Sequence, residues 1–233
     1  MEYEEIIKKL KSLKNPKNVL GMARFGIRPK SEILGVPVPE IRKIAKEIKK
    51  FMRSPTSHRL ALKLFDSKIH EARLLASMIA DPEILSEKQI DKWVKTFDSW
   101  DIVDQSCMNL FSKSEIAKNK VLELSNKEKE FEKRTAFALM ASLAVHDKKM
   151  LDKDFVKYFL IIKKQSIDER NFVKKAVNWA LRQIGKRNKN LNKEAIKLAK
   201  EIRNINNKAS KWNANNAITE LTSEPVQNRL KIK

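Results

Sequence analysis

The chain has 233 residues, 42% of them hydrophobic, with 50 Lys and Arg against 29 Asp and Glu and a formal net charge of +21. That length suits one large domain or a run of repeats, and the single cysteine, Cys107, excludes an internal disulfide and a thiolate metal cluster. No apolar run reaches the ~20 residues of a membrane span, and the acidic start from Met1 to Glu5 is unlike a secretory signal, so cytoplasmic residence is expected.

Apolar residues recur at spacings of three and four along almost the whole chain, which predicts helices. The expected spans are 3–13, 17–25, 39–53, 57–66, 70–80, 86–97, 99–112, 114–125, 128–146, 151–165, 168–187, 192–204 and 208–222. Asn15-Pro16, Ser54-Pro55, Asp81-Pro82 and Glu224-Pro225 punctuate them as helix stops or first-turn residues. Ser86 with Gln89, and Ser125 with Glu128, have capping-box spacing. Residues 26–38, with Gly26, Pro29, Gly35 and Pro37, read as an ordered loop packed on the body through Ile33 and Leu34. Scarce glycine (4) and tyrosine (2) argue against strands. The expected fold is all-α: a HEAT-like α-α solenoid of about six to seven helix pairs, repeating at about 35–45 residues, in a single domain over 1–233. A globular bundle is the alternative.

Three helices place chemistry-bearing residues off the core. In 99–112, Ile102, Val103, Cys107 and Leu110 form the buried face, and Trp100 and Asp104, at i and i+4, meet at its edge. Asp98 and Asp101 sit in the first turn, where the helix dipole explains a carboxylate. Asp104 lies deeper, so it is either a functional acid or half of a salt bridge to a neighbouring helix. In 128–146 the stripe is Ala136, Phe137, Met140, Leu143 and Ala144, and Arg134 points about 120° away from it, as a DNA contact or an ordinary surface arginine. In 168–187 the stripe is Val173, Ala176, Val177, Ala180, Leu181 and Ile184. Trp179 falls about 130° from its centre, among Lys175, Arg182 and Lys186. An outward aromatic among cations suits contact with sugar or base while the cations hold phosphates; packing on an adjacent helix pair is the alternative. Charges are interleaved with apolar residues from Tyr3 to Leu230, so the positive excess belongs to a folded surface. Such a surface binds polyanions through phosphate contacts and counterion release. Nucleic acid is the favoured partner, ahead of an anionic membrane or an acidic protein. His58, His70 and His146 lack ligand spacing and no Gly-rich phosphate loop is present, so no metal or cofactor is expected. The Asn- and Lys-rich stretch 204–216 has no assigned task.

Four segments, in order, carry a resemblance: Gly21 to Phe25 with Ile33 to Arg42, Ser99 to Asp104, Lys133 to Ala136, and Ala176 to Arg182. Together they resemble the AlkD-type DNA alkylation repair family, DNA glycosylases built from HEAT-like repeats. The resemblance implies excision of N3- and N7-alkylated purines from double-stranded DNA by hydrolysis of the N-glycosidic bond, without full base flipping and without a cofactor; a solenoid with capped ends is expected to be a monomer. It implies Asp104 as the catalytic carboxylate, Trp100 and Trp179 flanking the lesion's deoxyribose, and Arg134 on the nearby backbone. Arg24 and Phe25, with the cations Lys175, Arg182 and Lys186 around Trp179, complete the expected DNA-contacting set. Two departures stand out: Phe25 replaces a tyrosine, removing a hydroxyl, and Ser99-Trp100 replaces a Trp-Trp pair. A non-catalytic DNA- or RNA-binding protein on the same scaffold is the rival reading, followed by a scaffold for an acidic protein.

Overall fold

The computed structural model describes residues 2–231, as fifteen α-helices and a 3₁₀ turn. Among the described residues there is no strand, only an isolated bridge between Glu32 and Ile69. None of these helices is long and apolar enough to cross a membrane. The chain forms two compact units, one up to Ala117 and one from Lys118 onward.

Unit 1 holds α1 (Tyr3–Ser12), α2 (Pro16–Arg24), α3 (Val38–Phe51), α4 (Thr56–Phe65), α5 (His70–Ile79), α6 (Glu87–Lys95), α7 (Trp100–Asn109) and the 3₁₀ turn Phe111–Lys113. Its centre is α5, buried at every position and packed against α3, α4 and α7. Beside it the Phe65 and Trp93 rings stack 3.8 Å apart. Pro16 opens α2 in the first turn, where its missing N–H costs nothing. Ser86 and Gln89 form the expected capping box on α6.

The irregular segment between α2 and α3 is ordered as expected, by a device that apolar patterning does not reveal. Glu71, fully buried in α5, accepts the backbone N–H groups of Leu34, Gly35 and Val36. Gly35 has φ +78°, and a Cβ there would lie 2.2 Å from the Asn15 carbonyl, so only glycine fits.

Unit 2 holds α9 (Val121–Ser125), α10 (Glu130–His146), α11 (Asp152–Gln165), α12 (Asn171–Gly185), α13 (Lys189–Arg203), α14 (Lys208–Leu221) and α15 (Glu224–Lys231). The division between the units falls within α8 (Glu115–Asn119). The expected helix 114–125 is thus two short ones, interrupted at Lys120. Ser125 ends α9 and bonds back to the Leu122 carbonyl, so the expected capping box with Glu128 does not form. Pro225 occupies the first turn of α15 and starts a helix instead of ending one. The central element is α10, buried without a break from Arg134 to Ala144 and packed on α9 and α12. At Gly185 a Cβ would meet Leu221 at 2.7 Å, which is how closely α12 and α14 approach.

Candidate functional site

In unit 1 the first turn of α7 is built on α5. The Asp101 carboxylate accepts from the fully buried His70 imidazole (Nε2, 2.7 Å) and from the Ser99 hydroxyl (2.6 Å). Burial pushes the Asp101 carboxyl up, but the His70 and Ser99 hydrogen bonds outweigh it and hold the group below the usual carboxylate range. Asp98 pairs with Arg73 (3.0 Å) and accepts the Lys30 N–H (2.8 Å). Arg73 also donates to the Thr96 carbonyl and lies over the Phe65 ring. Both carboxylates are therefore internal ties, a fuller account than the helix dipole gave, and Asp98 precedes the N-cap Ser99 instead of lying in the first turn.

Trp100, half-buried, donates its indole N–H to the Phe25 carbonyl at 2.9 Å. The Phe25 ring, 74% exposed at the end of α2, stands beside exposed Arg24. The contact between positions 25 and 100 thus runs through main chain and needs no hydroxyl on the side chain. One turn past Trp100 on the same helix, Asp104 is half-buried, not sealed in the core. Unit 1 therefore joins Trp100 of α7, one turn before Asp104, to the end of α2 at Phe25.

In unit 2 Trp179 is half-buried on α12 and Lys175, one turn earlier, is exposed. Arg182 and Lys186 face the same way, but both bond to Glu220 of α14. Burial pushes the Glu220 carboxyl up, and the Lys186 and Arg182 contacts more than reverse that, holding it below its ordinary range. One carboxylate thus offsets half of the positive charge that these two side chains were expected to present.

Arg134 departs further from expectation. It is 5% exposed, and its guanidinium donates to the Phe172 carbonyl in the first turn of α12 at 2.6 Å. The direction 120° off the core stripe leads into α12 and not into solvent, because α10 is buried all round from Arg134 to Ala144.

The model of the family described as DNA alkylation repair enzyme matches residues 6–221. The chain belongs to that family. No curated protein matches the sequence. A solved structure described as "a new family of proteins related to the HEAT-like repeat DNA glycosylases with affinity for branched DNA structures" superposes with a TM-score of 0.80 at 20% identity, over 99% of this chain and 96% of that one. At that identity the likeness shows the fold: this DNA alkylation repair family member is a HEAT-like repeat protein.

Within this family member, sequence reasoning singled out Trp100 and Asp104 and missed what supports them. His70, Glu71 and Arg73 open an otherwise apolar helix, and all three are buried. Three ionisable residues crowded into the first turn of an apolar helix were the available signal. Among the described residues no group of His, Cys, Asp and Glu side chains is arranged to hold a metal ion.

Proposed function

We propose that the protein is a monofunctional DNA glycosylase that hydrolyses the N-glycosidic bond of N3- and N7-alkylated purines in duplex DNA, without extruding the base fully. Family membership supports DNA repair of this class, and one local observation carries the finer reading. Asp104 is a half-buried carboxylate one helical turn from a half-buried indole, and that indole is tied to the main chain of exposed Phe25.

The chemistry asks little of such a site. A purine alkylated at N3 or N7 is cationic and leaves with the electron pair of the breaking C1′–N bond, becoming neutral without a general acid. Positive charge develops on the sugar, and Asp104 stabilises it. Water adds to C1′, and its proton passes to the carboxylate and on to solvent. The indole of Trp100 adds attraction for the cationic sugar. In unit 2, Trp179 and Lys175 are assigned to DNA contact, with Arg182 and Lys186 as partly neutralised cations. Arg134 is assigned there a positioning role for the first turn of α12.

The test is base release from duplex DNA carrying N7-methylguanine. The Asp104→Asn variant is expected to lose about 1,000-fold or more in single-turnover rate, in line with loss of a charge stabiliser at a reacting centre, while duplex affinity stays close to that of the parent. Unchanged excision by the variant refutes the assignment.

A second reading draws on the structural neighbour's affinity for branched DNA, together with Phe25 and Ser99. In it the protein binds branched DNA without excising bases. Absent base release in the parent protein, with tight binding to a junction, selects that reading.

A further inference from the structure

The outer face of α14 belongs to none of the roles above. Its inner face is buried through Ala209, Asn213, Ala214, Ala217 and Leu221. Its outer face presents Lys208, Trp212, Asn215, Asn216 and Thr219, all exposed, at i, i+4, i+7, i+8 and i+11. This is the Asn- and Lys-rich stretch whose composition suggested no task.

A buried polar network fixes the helix so that the indole is presented outward. Asn178 of α12 donates to the Asn213 carbonyl at 2.9 Å, and Asn213 donates to the Ser166 carbonyl at 3.1 Å. The Ser166 and Ser210 hydroxyls lie 3.2 Å apart. Trp212 is 39% exposed, with the Lys174 ammonium 5.1 Å from its ring centroid. The indole, Asn215, Asn216 and Thr219 line an open recess of about 500 Å³ with the Arg182–Glu220 pair.

These groups define a ligand class. An exposed indole calls for a flat ring, two primary amides offer donors and acceptors to that ring's edge, and the Lys174 ammonium over one face of the indole calls for an anion next to it. A nucleotide has all three. In a duplex the base faces are stacked and the Watson–Crick edges paired, so only an unpaired base can use both indole and amides. A chain of net charge +21 draws the strand in.

We propose that this recess in unit 2 holds an unpaired nucleotide of a DNA strand, its base stacked on Trp212, its edge bonded by Asn215 and Asn216, and its phosphate beside Lys174. The site is separate from Asp104 chemistry and stands whether or not the protein excises bases.

Fluorescence anisotropy with an oligothymidylate and a blunt duplex of equal length, at one salt concentration, tests the proposal. Trp212→Ala is expected to weaken oligothymidylate binding about 5- to 100-fold, as loss of one base–aromatic stack does, and to change duplex binding by less than about two-fold. Trp212→Phe is expected to keep most of the single-strand affinity, which separates lost stacking from lost packing. The proposal is overturned by unchanged oligothymidylate binding, by equal losses on both DNAs, or by equal losses in the two variants. Displacement of the oligothymidylate by polyglutamate would assign the face to an acidic polypeptide and overturn it too. Base release from the alkylated duplex, run in parallel, is expected to be the same in Trp212→Ala and the parent, so failure here and failure of the excision reading are read out separately.

Discussion

The two units treat surplus charge in opposite ways. In unit 1 two carboxylates at the start of α7 are taken up by buried side chains of α5: His70 holds Asp101 and Arg73 holds Asp98. In unit 2 the outward face of α12 offers more cations than it leaves exposed, and one acid, Glu220, holds Arg182 and Lys186. The sign of a residue on an outward face therefore does not decide what a ligand meets. That depends on the helix packed behind it, which is why helical geometry could find these faces without ranking their residues.

The largest effect expected from disturbing this contrast is in unit 1. Glu71→Ala leaves the buried N–H groups of Leu34, Gly35 and Val36 without their acceptor. A loss of about 3 kcal/mol is expected in urea unfolding, at the upper end for unsatisfied buried groups. A loss below about 1 kcal/mol would mean that the loop packs without its anchor. Next comes acid stability. Asp101 is held below the ordinary carboxylate range, so its contribution is complete at neutral pH and disappears as pH falls through about 4 and lower. Asp101→Asn is expected to flatten the acid limb of a Tm-against-pH curve, and an unchanged limb would place the acid sensitivity elsewhere. The smallest effect belongs to unit 2. Glu220→Gln releases Arg182 and Lys186 from their common partner and should tighten duplex binding several-fold, with the slope of log K against log salt steeper by about 1. A flat response would show that these cations stay away from phosphate even when unpaired.

How much of this was legible depended on how one-sided each helix is. The expected 39–53 and 168–187 correspond closely to Val38–Phe51 and Asn171–Gly185 because each has one apolar stripe and a polar remainder. In α10 the stripe was read correctly, yet Arg134 was misplaced. Opposite the stripe stand Thr135, Ala138, Leu139 and Ser142, all buried, and not the lysines and glutamates of a solvated face. Small residues on the far side of a helix mark a second packing surface. The loop at 26–38 was legible as ordered but not as anchored, because its anchor lies 36 residues away from Gly35 and is a carboxylate. Trp100 and Asp104 were found because their four-residue spacing sets both at the edge of a clean buried face. The ties behind them are contacts distant in sequence, which periodicity does not encode. Trp212 was passed over because an exposed tryptophan among asparagines has no periodic signature.

The bond from the Trp100 indole to the Phe25 carbonyl has a consequence for variation. A peptide oxygen is common to all twenty amino acids, so tyrosine, leucine or arginine could occupy position 25 while the indole keeps its partner. Fixing the tryptophan and choosing what projects next to it become separate matters, and that spot on the surface is open to change without disturbing the architecture beneath.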